Sequence, residues 1–367
     1  MSGDGKMSDS FRLLASSILF SVGLFSLTFS FPLIAASYHY SYSFIGFLGV
    51  VLAIPFIVIA GIYTRLDFKY LRPGTIFSYA GSVVIAVLMI FRNEHTFIYI
   101  YVTASLVQAF WWITSEISLS LVQGEGNAEK YSAGWGVPNA VVPIIAGIIV
   151  QYLSFDILFV ISAASFALGL FFIPKYEFRP VKVRFSNVKL RYVASLLFAG
   201  ISMGFIFFVI VPVLKYYGIS YSIIGIIVGI FGASSAVGYI LLNFMKDKTV
   251  KFYAVLSSVL VFPTFIFGIN HHVILVSVLM VSMGLGTSVA MSKILAYVSG
   301  SASVRLGVFY YETVFGLGAM IGSFGGGILF QYFGGSSIII LFILPIIYVV
   351  ALLVFDRKNG GRDPVPN

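Results

Sequence analysis

The sequence predicts an all-α membrane protein, with twelve transmembrane helices in two pseudo-symmetric six-helix bundles and both termini cytoplasmic. Three observations carry this expectation. The chain is 59% hydrophobic and 10% charged, whereas a soluble domain has about 25% charged residues. Apolar stretches recur from end to end, each long enough to cross a bilayer as a helix, which takes ~20 residues. The second half also repeats the first. The run SYSFIG at Ser41–Gly46 returns as SYSIIG at Ser220–Gly225, offset by 179 residues. The run GIIVQY at Gly147–Tyr152 returns as GILFQY at Gly327–Tyr332, offset by 180, and Pro32 returns as Pro212 at the same 180. One short match is weak in a chain rich in Ile, Gly, Ser and Tyr. Matches in one register at both ends of a half are harder to dismiss. Parallel repeats of this kind are related by a pseudo-two-fold axis along the membrane normal.

The spans fall at 11–37, 43–63, 73–92, 96–122, 131–153, 155–174, 192–214, 221–245, 252–270, 273–298, 305–333 and 337–355. They lack the apolar–polar alternation of barrel strands, which excludes a membrane barrel. A short tail, 1–10, precedes the first span. That span is too long for a signal sequence and has no clear small-residue cleavage site, so it is read as a retained helix. The first bundle is then 11–174 and the second 192–355, and a tail, 356–367, closes the chain. Most links are short and turn-like, as between adjacent antiparallel helices. The longest, 175–191, lies at the midpoint and carries Lys175, Arg179, Lys182, Arg184, Lys189 and Arg191.

Those cations set the orientation. With the N-terminus in the cytoplasm, 19 of the 22 Lys and Arg lie on the inner side, among them the six of the central link and Arg65, Lys69, Arg72 and Arg305. Arg92 and Lys215 fall outside, and Lys293 falls within a span. Positive charge gathers on the cytoplasmic side of membrane proteins, so both termini are placed there. The net charge of +9 is thereby a topology signal beside anionic headgroups rather than a nucleic-acid footprint. The absence of cysteine excludes disulfides and thiol chemistry. No P-loop pattern for ATP is present, and no clustered Cys or His suits zinc. No catalytic set is visible, and the chain is not expected to be an enzyme.

Polar groups inside the spans are the candidates for function, because a charge near mid-membrane costs ~2.5 kcal/mol or more and normally faces protein or water. Glu116 lies in the fourth span, Lys293 in the tenth and Glu312 in the eleventh. In the fourth span Tyr101, Ser105, Gln108, Trp112, Ser115 and Glu116 recur at helical spacing on one face, which reads as a cavity wall or as a buried interhelical seam. In the tenth, Ser282, Gly286, Lys293 and Tyr297 share a face. Asn139 in the fifth span and Asn243 in the eighth suit substrate contact or an interhelical hydrogen bond. His39, His95, His271 and His272 sit at the outer ends of spans, as loop residues or as sensors of outside acidity.

Twelve spans in two halves, a basic central link and this topology resemble the major facilitator superfamily over about residues 11–355. The motifs are partly kept. That family's glycine-rich helix-5 signature appears as Pro138, Val142, Pro143, Ala146 and Gly147, and its mate in the eleventh span as Gly318, Gly322, Ser323, Gly326 and Gly327. Small residues at this spacing let helices approach closely, and the match leans toward export. The family's loop signature after the second helix survives only as Gly61 and the acid–base character of Arg65, Asp67 and Lys69.

The resemblance implies a central cavity lined by the first, fourth, seventh and tenth helices. It thus sets Glu116 and Lys293 on facing walls, with Glu312 as the alternative partner of Lys293. The expected function is secondary active transport of a small organic solute by alternating access, with Glu116 and Glu312 suited to proton coupling. The alternatives are solute uptake by symport, or a non-transporting receptor or assembly protein on the same scaffold. The expected partners are the solute, protons and the lipid bilayer. No cofactor, metal or nucleic acid is expected, and the chain is expected to act as a monomer.

Overall fold

A computed structural model describes residues 9–119, 127–174, 189–242, 244–245, 248–270, 272–294, 296–297 and 304–359. It contains twelve helices long and apolar enough to cross a membrane. In the first half these are α1 (Phe11–Ser37), α2 (Tyr42–Tyr63), α3 (Phe68–Ile90), α4 (Glu94–Ser118), α5 (Gly134–Tyr152) and α6 (Phe155–Phe172). In the second half they are α7 (Leu190–Tyr216), α8 (Tyr221–Leu242), α9 (Val250–Gly268), α10 (Val273–Ile294), α11 (Arg305–Phe333) and α12 (Gly335–Val354). His271, Asn243 and most of the central link and of both terminal tails lie outside the described residues.

The two halves pack by one plan. In the first, α1 packs on α5 and α6, α3 on α4 and α6, and α2 on α4. In the second, α7 packs on α11, α9 on α10 and α12, and α8 on α10. The halves meet along two seams, α2 on α11 and α5 on α8, which exchange with each other when the halves are swapped.

The repeated sequence builds those seams. A Cβ on either Gly147 or Gly225 would stand 3.1 Å from the other's Cα, and one on Gly147 would collide with the Tyr221 carbonyl. In the other seam a Cβ on Gly327 would collide with the Tyr42 carbonyl, and one on Gly46 with that of Ser323. The backbones approach this closely because these positions carry no side chain, and close approach is what packs helices in lipid, where no hydrophobic drive operates between them. The other small positions of α11, Gly318 and Gly322, face the α7 backbone at Leu197 and Ile201. Both stretches that resemble the glycine signature thus pack helices.

The face opposite the central link holds the two exceptional cations. Arg92 binds Asp156 at 2.6 Å and the Met89 carbonyl at 2.7 Å, tying α3 to α6. Lys215 lies 3.8 Å over the Tyr221 ring. On the link-bearing face Arg305 donates to the Leu66 carbonyl at 2.6 Å and stacks 3.6 Å over Phe68, joining α11 to the α2–α3 turn. Asp67 caps the short turn Phe68–Tyr70 in the same segment.

Helices α7, α10 and α11 each contain a wide π-type turn, at Ile206–Ile210, Ala290–Ile294 and Ile321–Gly325. Such turns shift the faces of a helix and recur at functional sites. Among the described residues, the first half contains none.

Candidate functional site

A cavity of about 140 Å³ lies between the two bundles. A single water needs only ~10–15 Å³ of such space, so the cavity has room for an organic molecule. Both halves line it: α1, α2, α4 and α5 from the first, α7, α10 and α11 from the second. Its wall is largely apolar and aromatic. Phe25, Phe56, Trp112 and Trp135 come from the first half, and Phe207, Phe208, Met291 and Phe315 from the second. Phe207, Phe208 and Met291 belong to the wide turns of α7 and α10, so these turns set the cavity wall. The rings support one another, with Trp112 6.0 Å from Trp135 and Trp135 5.4 Å from Tyr239.

Three strongly polar side chains reach this wall. Gln108 and Glu312 are each 2% exposed and Asn139 1%. Among the described residues, Gln108 Nε2, Asn139 Oδ1 and Glu312 Oε1 have no hydrogen-bond partner. Leaving a buried polar group unpaired costs ~1–3 kcal/mol, so these three atoms are open to hydrogen bonds from water or a solute in the cavity.

Glu116 and Glu312 are side-chain neighbours, with Trp112 beside both carboxyls. A carboxylate only accepts hydrogen bonds, so a bond formed between the two would require a proton on one of them. The pair brings α4 of the first bundle against α11 of the second. Glu116 sits in the last turn of α4, and Glu312 lies seven residues into α11, ~10 Å along a helix axis, so the pair stands between the cavity and the link-bearing face.

The other candidates fall elsewhere. Tyr101 is 1% exposed and donates to the Leu48 carbonyl at 2.9 Å, holding α4 to α2. Ser105 bonds back to the Tyr101 carbonyl at 2.9 Å. Ser282 bonds the Leu260 carbonyl of α9. None of these three lines the cavity, so the polar face of α4 divides: its upper part is an interhelical seam, and Gln108 and Trp112 form the cavity wall. Lys293 lies in the wide turn of α10, 5.6 Å from the Tyr253 ring centre of α9, and Glu116 instead faces Glu312. Asn243 lies outside the described residues. The abundance of Phe and Tyr in the sequence permits an aromatic cavity, but apart from Trp112 sequence reasoning did not identify the rings that line it, and it missed the α2 contribution, Gly49, Leu52, Ala53 and Phe56. These residues resemble lipid-facing and packing residues in every other span.

A family model described as Major Facilitator Superfamily matches residues 192–366. No curated protein matches the chain. Among solved structures, a POT family transporter in complex with a thioalcohol-conjugated peptide superposes with a TM-score of 0.75 at 11% identity, over 95% of this chain and 96% of that one. A peptide transporter POT superposes with a TM-score of 0.75 at 9% identity, over 98% and 96%. A bacterial homolog of the human lysosomal transporter Spinster, inward-facing and occupied, superposes with a TM-score of 0.62 at 14% identity, over 97% of each chain. The twelve-helix architecture is therefore the major facilitator fold, in a multi-pass membrane protein.

Proposed function

We propose that this chain, which carries the major facilitator fold and matches that superfamily's model over its second half, is a secondary active transporter that moves a small organic solute by alternating access, driven by protons. The observation that carries the reading is a single arrangement: a cavity walled by both repeat halves, with a buried carboxyl in its lining that faces a second carboxyl across the halves.

Rocking the two bundles about the Gly-packed seams would expose this cavity to one face and then the other. The Glu116–Glu312 bond ties the bundles together while a proton is shared. Loss of that proton converts the bond into repulsion between like charges at short range and favours separation at the link-bearing face. Proton occupancy and opening are then two readings of one equilibrium, which is what coupling requires. The Lys and Arg distribution supports a cytoplasmic link-bearing face with both termini inside, and the small-residue stretch of α11 favours export.

The test is flux. The purified chain in proteoliposomes, with a pH dye trapped inside, is challenged with a panel of solutes, with and without an imposed pH gradient. Saturable, gradient-dependent solute movement with matching proton movement is expected. Specific solute binding with no flux in either direction would overturn the reading and identify a receptor on this scaffold.

A further inference from the structure

We infer that the cavity selects a small, largely apolar organic monocation, such as an aromatic amine or quaternary ammonium, rather than an anion or a zwitterion. The inference rests on the transporter reading of the site and names its substrate class.

Among the described residues, Glu312 is the one charged residue of the lining, and no Lys, Arg or His lines the cavity. A carboxylate or phosphate on a ligand would find no cation there. Glu312 is 2% exposed, and its Oε1, free of protein partners, is available to a bound group. Loss of one proton from the carboxyl pair leaves a single negative charge, which one monovalent cation would neutralise.

Trp112, Trp135, Phe207, Phe208 and Phe315 surround the space with aromatic faces. Ring faces attract cations, more strongly when both are desolvated. They also bury apolar ligand surface at ~25 cal/mol per Å². A bare metal ion does not fit this environment. Calcium takes six to eight oxygen ligands, and the lining offers Glu312, Gln108 and Asn139 as its strongly polar side chains. Asn139 Oδ1 and Gln108 Nε2, both unpaired, add one acceptor and one donor for polar substituents on the ligand.

The test measures equilibrium binding to the full chain in lipid nanodiscs at one fixed pH, with no gradient. Radiolabelled benzyltrimethylammonium is the probe. Unlabelled benzenesulfonate and the zwitterionic dipeptide alanyl-phenylalanine are the competitors. Saturable binding of the cation is expected, with neither competitor displacing it at concentrations a hundredfold above its Kd. Glu312→Gln is expected to weaken cation binding at least tenfold. Should that variant not fold, Phe207→Ala is expected to weaken cation binding about fivefold, and the competition data stand on the native chain alone. Absent saturable binding, equal displacement by the sulfonate or dipeptide, or unchanged affinity in a folded Glu312→Gln would each overturn the inference. Proton-coupled flux of some other solute in the proteoliposome assay would leave the transporter reading standing while this inference falls.

Discussion

Gln151 of α5 accepts a hydrogen bond from the backbone N–H of Tyr221, the first residue of α8, at 3.0 Å. A corresponding bond occurs in the other seam, shifted by one residue along the helix, where Gln331 of α11 accepts from the Ser43 N–H of α2 at 2.9 Å. The first backbone N–H groups of a helix have no partner within it, so each half supplies a side-chain cap to a helix of the other. Gln151 and Gln331 are themselves repeat mates, at the 180-residue offset. The repeated runs are therefore two copies of one interlock between the bundles, at the face opposite the central link.

Removing either cap should have the same consequence. Gln151→Ala and Gln331→Ala each remove an acceptor from a helix N-terminus, a loss of about 1 kcal/mol. Thermal unfolding in detergent should show two similar decreases. A large loss for one variant beside none for the other would contradict equivalence of the two seams.

The glycine seams should be intolerant where backbones touch and tolerant where they do not. Gly225→Ala places a methyl group against the Pro143 carbonyl and the Gly147 Cα, and overpacking of this kind costs about 1–3 kcal/mol. Gly136→Ala, whose nearest new neighbour would be the Ala236 Cβ at 4.0 Å, should leave stability unchanged or raise it slightly. The ratio of folded yields after heating reads the difference.

The partner of Glu116 can be measured by coupling. Glu116→Gln combined with Glu312→Gln should show strong non-additivity in stability, because the two single changes disturb one hydrogen bond. Glu116→Gln combined with Lys293→Met should be close to additive, because Lys293 lies against Tyr253. The reverse pattern would restore the pairing that symmetry alone suggests.

Orientation is open to direct labelling, since the native chain contains no cysteine. A cysteine at Asn93, in the α3–α4 turn, should react with a membrane-impermeant maleimide on intact cells. A cysteine at Lys69, in the α2–α3 segment, should react only after permeabilisation. The opposite result would invert the topology.

Apolar length and the 180-residue period made the fold legible. The ends of α1, α2 and α11 fall within about one residue of where hydropathy alone puts them. The function of the repeat was not legible, because a period shows that two segments are equivalent but not what they pack against. The site was half legible. Glu116, Glu312, Gln108, Trp112 and Asn139 stand out as polar or indole groups in apolar spans and meet at or beside the cavity. Tyr101, Ser105 and Ser282 look the same in sequence, yet each spends its hydroxyl on a backbone carbonyl. Lys293 was assigned opposite Glu116 by helical symmetry. The wide turn Ala290–Ile294 shifts its face relative to a regular helix. The aromatic wall has no sequence signature in a chain with 37 Phe and 22 Tyr.

The most direct measurement of proton coupling through the carboxyl pair uses Glu312→Gln in proteoliposomes, with transport driven by a pH gradient compared with solute exchange at equal pH. Glutamine keeps the shape and a hydrogen bond to Glu116 but cannot give up a proton. The expected result is loss of gradient-driven transport with exchange retained at solute concentrations high enough to offset the weaker binding of this variant. Full gradient-driven transport in this variant would contradict the account, and loss of both activities at saturating solute would assign Glu312 to solute binding alone or to the fold instead of to the proton.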